Sequence, residues 1–169
     1  PGFFPDQGHR DLSFTTHCLR EVDQALRGSG VRLLLESLSL SKYRGYALPT
    51  VHKAASLIED TKTAGAKLLF DFFHVQSMTG NLLNSLEQYI PLIGHLHIAG
   101  VPGQHEPQDG EIDYPRVLAK LLDMGYGGRL GLEYHPLIEP EQSLRQTLKY
   151  LENWENGTAV RQALPAASP

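Results

Sequence analysis

The sequence predicts an α/β fold of four consecutive helix–strand units with parallel strands. Three observations predict it. Apolar positions at helical spacing alternate four times with short apolar runs, and that alternation places parallel strands inside a layer of helices. Each run ends at or near an acidic or imidazole side chain: Glu36, Asp71, His97 and Glu133. These residues are separated by 35, 26 and 36 positions, intervals that suit one parallel crossover each.

Residues 1–13 are rich in Pro, Gly and polar groups and read as a loop. Leu19, Val22, Ala25 and Leu26 then recur at helical spacing, and Gly28-Ser29-Gly30 stops that helix. Val31 to Glu36 is a short apolar run closed by a carboxylate, the pattern of a buried parallel strand. Val51, Ala54, Ala55 and Ile58 mark a helix starting near Pro49-Thr50 and stopping near Gly65. Lys67 to Asp71 is the second strand. A shorter helix around 84–91 leads to the third strand, His95 to Ala99. Asp113 can cap a helix with Pro115 in its first turn and Val117, Leu118, Leu121 and Leu122 on its apolar face. Gly125 and Gly127-Gly128 end it. Arg129 to Glu133 is the fourth strand, and Leu144, Leu148 and Leu151 define the last helix. The segment 156–169 reads as a disordered tail. No repeat beyond this rhythm is evident.

The composition is that of a globular chain: 169 residues, 41% hydrophobic and 20% charged. A net charge of −4 supplies no basic field for nucleic acid. No apolar run approaches the ~20 residues of a membrane span. Pro1-Gly2-Phe3-Phe4-Pro5 has no basic stretch ahead of an apolar one, so no signal peptide is expected. The absence of an initial Met suggests a processed chain or one cut from something longer. Cys18 is the only cysteine, which rules out an intramolecular disulfide and a Cys-based zinc site. It reads as a small half-buried helix residue, and it fits a cytoplasmic or organelle-matrix setting.

In parallel α/β folds, chemistry collects at the carboxyl ends of the strands. Three carboxylates converging on one rim would repel one another, and burying them costs several kcal/mol. A divalent cation resolves that conflict. Oxygen donors with one imidazole suit Mg²⁺, Mn²⁺ or Co²⁺. His95 shares a strand face with His97. His74 lies three residues past a strand end, as a helix-cap or loop histidine or as a hydrogen-bond donor to substrate. His135 follows Glu133 closely enough to line the same rim, whereas His9, His17 and His52 read as surface groups. There is no Gly-rich phosphate loop, so no nucleotide cofactor is expected.

Several segments resemble the hydroxypyruvate isomerase family, within the xylose isomerase-like TIM barrels. They are Asp71-Phe72-Phe73-His74-Val75-Gln76, Gly80-Asn81-Leu82, the stretch from Gly94 through Ala99-Gly100-Val101-Pro102-Gly103-Gln104-His105-Glu106-Pro107 to Gly110-Glu111-Ile112-Asp113-Tyr114-Pro115, and Gly125-Tyr126-Gly127-Gly128 leading to Gly131-Leu132-Glu133-Tyr134. The likeness runs from about Leu33 to Leu151. It implies a partial (β/α)8 TIM barrel: residues 1–155 as the four C-terminal βα units, with the first four units missing. Such a half-barrel has open sheet edges and an uncovered inner face, which a homo-oligomer or a complementing half-barrel would close.

The resemblance further implies Glu36 and Glu133 as proton-transfer carboxylates. It implies Glu36, Asp71, His97 and Glu133 as metal ligands, and His74, Gln104 and His105 as substrate-binding residues. The implied activity is an intramolecular oxidoreductase acting on a small hydroxy-carbonyl substrate, hydroxypyruvate to tartronate semialdehyde, through a metal-stabilised enediolate. A ketose 3-epimerase and a catalytically inactive fragment are the alternatives. Three departures bear on substrate. Position 97 is commonly Gln in hydroxypyruvate isomerases and His in the epimerases. Position 104 is commonly Arg, so Gln104 removes a cation able to clamp a carboxylate. Ser37-Leu38-Ser39 stands where Pro-Ile-Asn is common.

Overall fold

The computed structural model of the chain describes residues 12–63 and 65–155. His9, most of the N-terminal loop and the tail over 156–169 lie outside the described residues. The elements run α1 (Ser13–Leu26), β1 (Leu33–Glu36), α2 (Val51–Thr61), β2 (Ala66–Asp71), α3 (Phe72–Met78), α4 (Leu82–Tyr89), a 3-10 turn over Ile90–Leu92, β3 (Ile93–Ile98), α5 (Tyr114–Asp123), β4 (Leu130–Leu132) and α6 (Pro140–Glu155). The four strands form one sheet in the order β1-β2-β3-β4, every pairing parallel. The expected half-barrel architecture is what forms.

Local chemistry explains the boundaries. The Thr50 hydroxyl accepts the Lys53 amide and starts α2, and the Asp113 carboxylate accepts the Arg116 amide and starts α5, both side-chain caps. The second helix ends at Thr61, short of Gly65, because Lys62 takes the left-handed conformation. Arg20 of α1 donates to the Thr61 and Asp60 carbonyls, covering orphan acceptors at the end of α2. The strand expected from Val31 begins at Leu33, leaving Val31 exposed. One helix was not legible in the sequence. Phe72–Met78 is only 7 residues long, too short for apolar periodicity to declare itself.

The core lies between the sheet and its helices. Leu35, Leu68, Phe70, Leu96 and Ile98 face outward and are buried with Ala54, Ala55 and Ile58 of α2 and Val117, Leu118 and Leu121 of α5. The Tyr114 hydroxyl donates to the Ala99 carbonyl and accepts the Ala99 amide, pinning the start of α5 to the end of β3. The alternate strand residues Leu34, Leu69 and His95 face the other side and are only half-buried. This is the inner face expected to lie uncovered.

Parts of three helices depart from expectation. Leu122 of α5 is exposed, as are Leu144 and Leu148 of α6. In their place α6 buries Ser143 and Thr147 completely. In α1, Leu19 is buried as expected, but Asp23 is buried while Val22 is 43% exposed. Cys18 is half-buried, as expected. None of the described helices is long and apolar enough to cross a membrane.

Candidate active site

Register explains how four residues from four strands meet. Glu36 pairs with Leu69, two positions before Asp71. Asp71 pairs with His97, and His97 with Gly131, two positions before Glu133. Side chains alternate with period two, so even offsets put all four on one face. The offsets follow the stagger that strand tilt imposes in a barrel, where residues at one height occupy stepped positions in the ladder. One ligand atom from each of Glu36, Asp71, His97 and Glu133 lies within 4.8 Å of the others.

Electrostatics at this rim are unfavourable as the residues stand. Asp71 is fully buried. Its Oδ1 accepts the His74 amide at 3.2 Å, an N-cap that starts α3 and fixes the carboxylate. Burial first, then the charges of Glu36 and Glu133, push its pKa well above the usual carboxylate range, against the lowering effect of that amide. Burial, followed by the Glu133 charge, raises Glu36 to about 7. His97 Nδ1 lies 3.2 Å from Glu133 Oε2 and 3.9 Å from Asp71 Oδ2. Glu36 Oε1 and Asp71 Oδ2 are buried without a hydrogen-bond partner. Two orphaned carboxylate oxygens beside a carboxylate and an imidazole form a donor set that fits a hard divalent cation.

His74 is 2% exposed. Its Nδ1 accepts the Ser39 amide at 3.1 Å, so the neutral ring carries its proton on Nε2. Burial is the main cause that lowers it to about 4. Gln104 is buried with φ at +63°. Its side-chain amide N–H donates to the Glu133 carbonyl at 3.1 Å, and its own carbonyl accepts the His135 amide at 2.7 Å. His105 Nδ1 donates to the His135 carbonyl at 2.8 Å. The loop after β3 is thereby tied to the exit of β4, and His135, expected near the rim, is the point of attachment. The rings of His95 and His97 meet edge to face at 5.1 Å.

Several site residues escaped the sequence reading. The Tyr46 hydroxyl donates to the Glu36 carbonyl at 2.8 Å. Buried Glu106 accepts the Leu137 amide and the Ser143 hydroxyl, which accounts for Ser143 at the buried face of α6. Gly131 is required by close approach, since a Cβ there would sit 2.7 Å from His97 Cδ2 and 2.9 Å from His95 Nε2. Lys42 donates to Gln104 Oε1 at 2.5 Å. Of these, Glu106 and Gly131 lie within the segments that carry the family resemblance, with no role marked for either.

Parallel strands flanked by helices, with carboxylates and an imidazole converging at their carboxyl ends, define half of an eight-stranded α/β barrel. The chain belongs to the xylose isomerase-like TIM barrel family, whose model matches residues 2–154. It is 33% identical over 144 residues to the hydroxypyruvate isomerase of Escherichia coli K12, covering 85% of this chain and 55% of that protein. It is 34% identical over 134 residues to the 2-oxo-tetronate isomerase of Pectobacterium atrosepticum, covering 79% of this chain and 51% of that protein. Among solved structures, a family 2 AP endonuclease from Brucella melitensis matches with a TM-score of 0.78 at 29% identity, over 82% of this chain and 54% of that one. The chain thus spans about half the length of the curated relatives it matches.

Proposed function

We propose that this rim interconverts hydroxypyruvate and tartronate semialdehyde as an intramolecular oxidoreductase. The observation that carries the reading is the convergence of Glu36, Asp71, His97 and Glu133 within 4.8 Å, with two of their oxygens orphaned. These four residues would hold a divalent ion, Mg²⁺, Mn²⁺ or Co²⁺. Such an ion would draw charge from adjacent carbonyl and hydroxyl oxygens and so favour loss of a proton from the carbon that bears the hydroxyl.

The chain's own residues do the rest. One of Glu36 and Glu133 takes the proton from the hydroxymethyl carbon of hydroxypyruvate. The other, or the same one, delivers a proton to the former carbonyl carbon, and the hydroxyl proton moves to the neighbouring oxygen, so atoms balance without an oxidant. Glu36, whose Oε1 is buried with no hydrogen-bond partner, has a carboxylate oxygen free to accept and release a proton. His74, neutral and oriented by Ser39, donates its Nε2 proton to a substrate oxygen. Gln104 and His105 shape the substrate side of the rim from the loop after β3. No nucleotide takes part.

The apolar residues at the two open edges, Val22 and Val31 on one side and Leu137, Leu144 and Leu148 on the other, support a complementing half-barrel or a second copy as the partner that closes the fold. Residues 1–155 form the half-barrel unit in this reading. A cytosolic or organelle-matrix setting rests on the lone cysteine.

The test is proton exchange. The Mn²⁺-loaded chain in D₂O should introduce deuterium into hydroxypyruvate and produce tartronate semialdehyde, followed by NMR. Exchange with a neutral ketose and none with hydroxypyruvate would replace this reading with the epimerase. Absence of exchange with both would leave an inactive fragment.

A further inference from the structure

The site carries a cation that its sequence motif does not announce. Lys42 lies in the loop after β1, 62 residues before Gln104 in the chain. Its ammonium reaches the Gln104 side-chain carbonyl at 2.5 Å and stands 5.3 Å from the centre of the Phe73 ring. Phe73 in turn meets the His74 ring edge to face at 5.0 Å. The lysine therefore sits over the same rim as His74 and Glu133.

Gln104 links it there. Although not glycine, Gln104 adopts a left-handed backbone, a conformation that costs ~1 kcal/mol or more. Every polar group of the residue is engaged: its amide donates to the Gly100 carbonyl, its carbonyl accepts the His135 amide, and its side chain bridges Lys42 and the Glu133 carbonyl. A residue so constrained is a fixed bracket. It ties the ammonium to the main-chain carbonyl of Glu133, on the loop where an arginine would otherwise supply the charge.

We propose that Lys42 is the substrate-selecting residue of this site, binding the carboxylate of a 2-oxo-3-hydroxy acid. This rests on the isomerase reading of the same rim. An ammonium offers three donors and a full charge, which a carboxylate gains from and a neutral hydroxymethyl group does not. The lysine thus restores the charge that Gln104 lacks, from a different strand's loop.

The experiment compares hydroxypyruvate with dihydroxyacetone, which carries a hydroxymethyl group in place of the carboxylate. Calorimetric titration of the Mn²⁺-loaded full chain should show Lys42→Gln weakening hydroxypyruvate binding by about tenfold or more. Dihydroxyacetone binding should change less than about twofold, which also reports that the fold is intact. Added salt should weaken hydroxypyruvate binding in the parent chain and much less in Lys42→Gln. Gln104→Arg in the Lys42→Gln background should restore the preference. An equal loss for both ligands, no loss for either, or no hydroxypyruvate binding by the parent chain overturns the proposal. Deuterium exchange separates it from the reading beneath it. Lys42-dependent binding without exchange sinks the isomerase and keeps the carboxylate site; exchange with unaltered affinity in Lys42→Gln does the reverse.

Discussion

The middle of the sheet and its two flanks obey different rules. Helices α2 and α5 bury the apolar positions that their spacing predicts, apart from Leu122. Helices α1 and α6 have the same periodicity, yet they settle Asp23, Ser143 and Thr147 against the body and turn Val22, Leu144 and Leu148 outward. The rim divides in the same way. Asp71 and His97 stand on the central strands, while Glu36 and Glu133 stand on the edge strands. The centre is built as an anchor. The flanks hold the two groups proposed to move protons, together with apolar surface that this half of the barrel does not cover.

The largest expected effect lies at an edge. Glu36→Gln or Glu133→Gln should slow deuterium exchange into hydroxypyruvate by ~10²–10⁴-fold, with the far-ultraviolet circular dichroism unchanged. A near-normal rate in either variant would break the assignment of proton transfer to the edge strands. In the centre the cost falls on stability instead. Leu121→Ala in α5 should lower urea unfolding stability by about 2–5 kcal/mol, as cavity-forming leucine truncations do.

Metal binding sharpens the contrast next. At a hundred times its dissociation constant, Mn²⁺ should stabilise the chain by about 2.7 kcal/mol against unfolding. Gly131→Ala, which drives a methyl group into His97 and His95, should weaken that binding by roughly tenfold. An unchanged affinity would show that the His97 ring is not positioned by this glycine.

Acidity provides a further test on metal-free protein. Glu36 keeps its proton in the fold up to about 7, whereas the unfolded chain loses it near 4.5. Stability therefore falls as pH rises through that window and stays reduced above it. His74 acts with the opposite sign: lowered from 6.5 to about 4, it costs stability as pH falls between those values. Glu36→Gln separates the two. It should raise urea stability at about pH 8, by roughly 2 kcal/mol, and leave it unchanged at about pH 4. The smallest effect belongs to the flank helix. Leu148→Ala in α6 should change stability by no more than about 0.5 kcal/mol, against the much larger loss at Leu121. A comparable loss would show that the α6 face is already covered.

Much of this molecule was legible in its sequence because its signals are local. A β-strand sends alternate side chains to one face, so an acidic or imidazole side chain at or near the end of each apolar run already marked Glu36, Asp71, His97 and Glu133, and cap residues such as Asp113 fixed helix starts by accepting an amide three residues on. Helix α3 escaped because its 7 residues, about two turns, are too few to show a period. The exposed leucines of α6 escaped because spacing reveals which residues share a face but not what the face meets.

The sequence by itself determined the four units, their order and which side chains end the strands, since each follows from patterns among near neighbours in the chain. Only the tertiary structure decided the stagger that brings the four side chains together, the burial that displaces the proton affinities of Glu36 and Asp71, and the arrival of Lys42 beside Gln104. Those outcomes depend on distance through space between segments dozens of residues apart, and no pattern confined to one segment encodes such a distance.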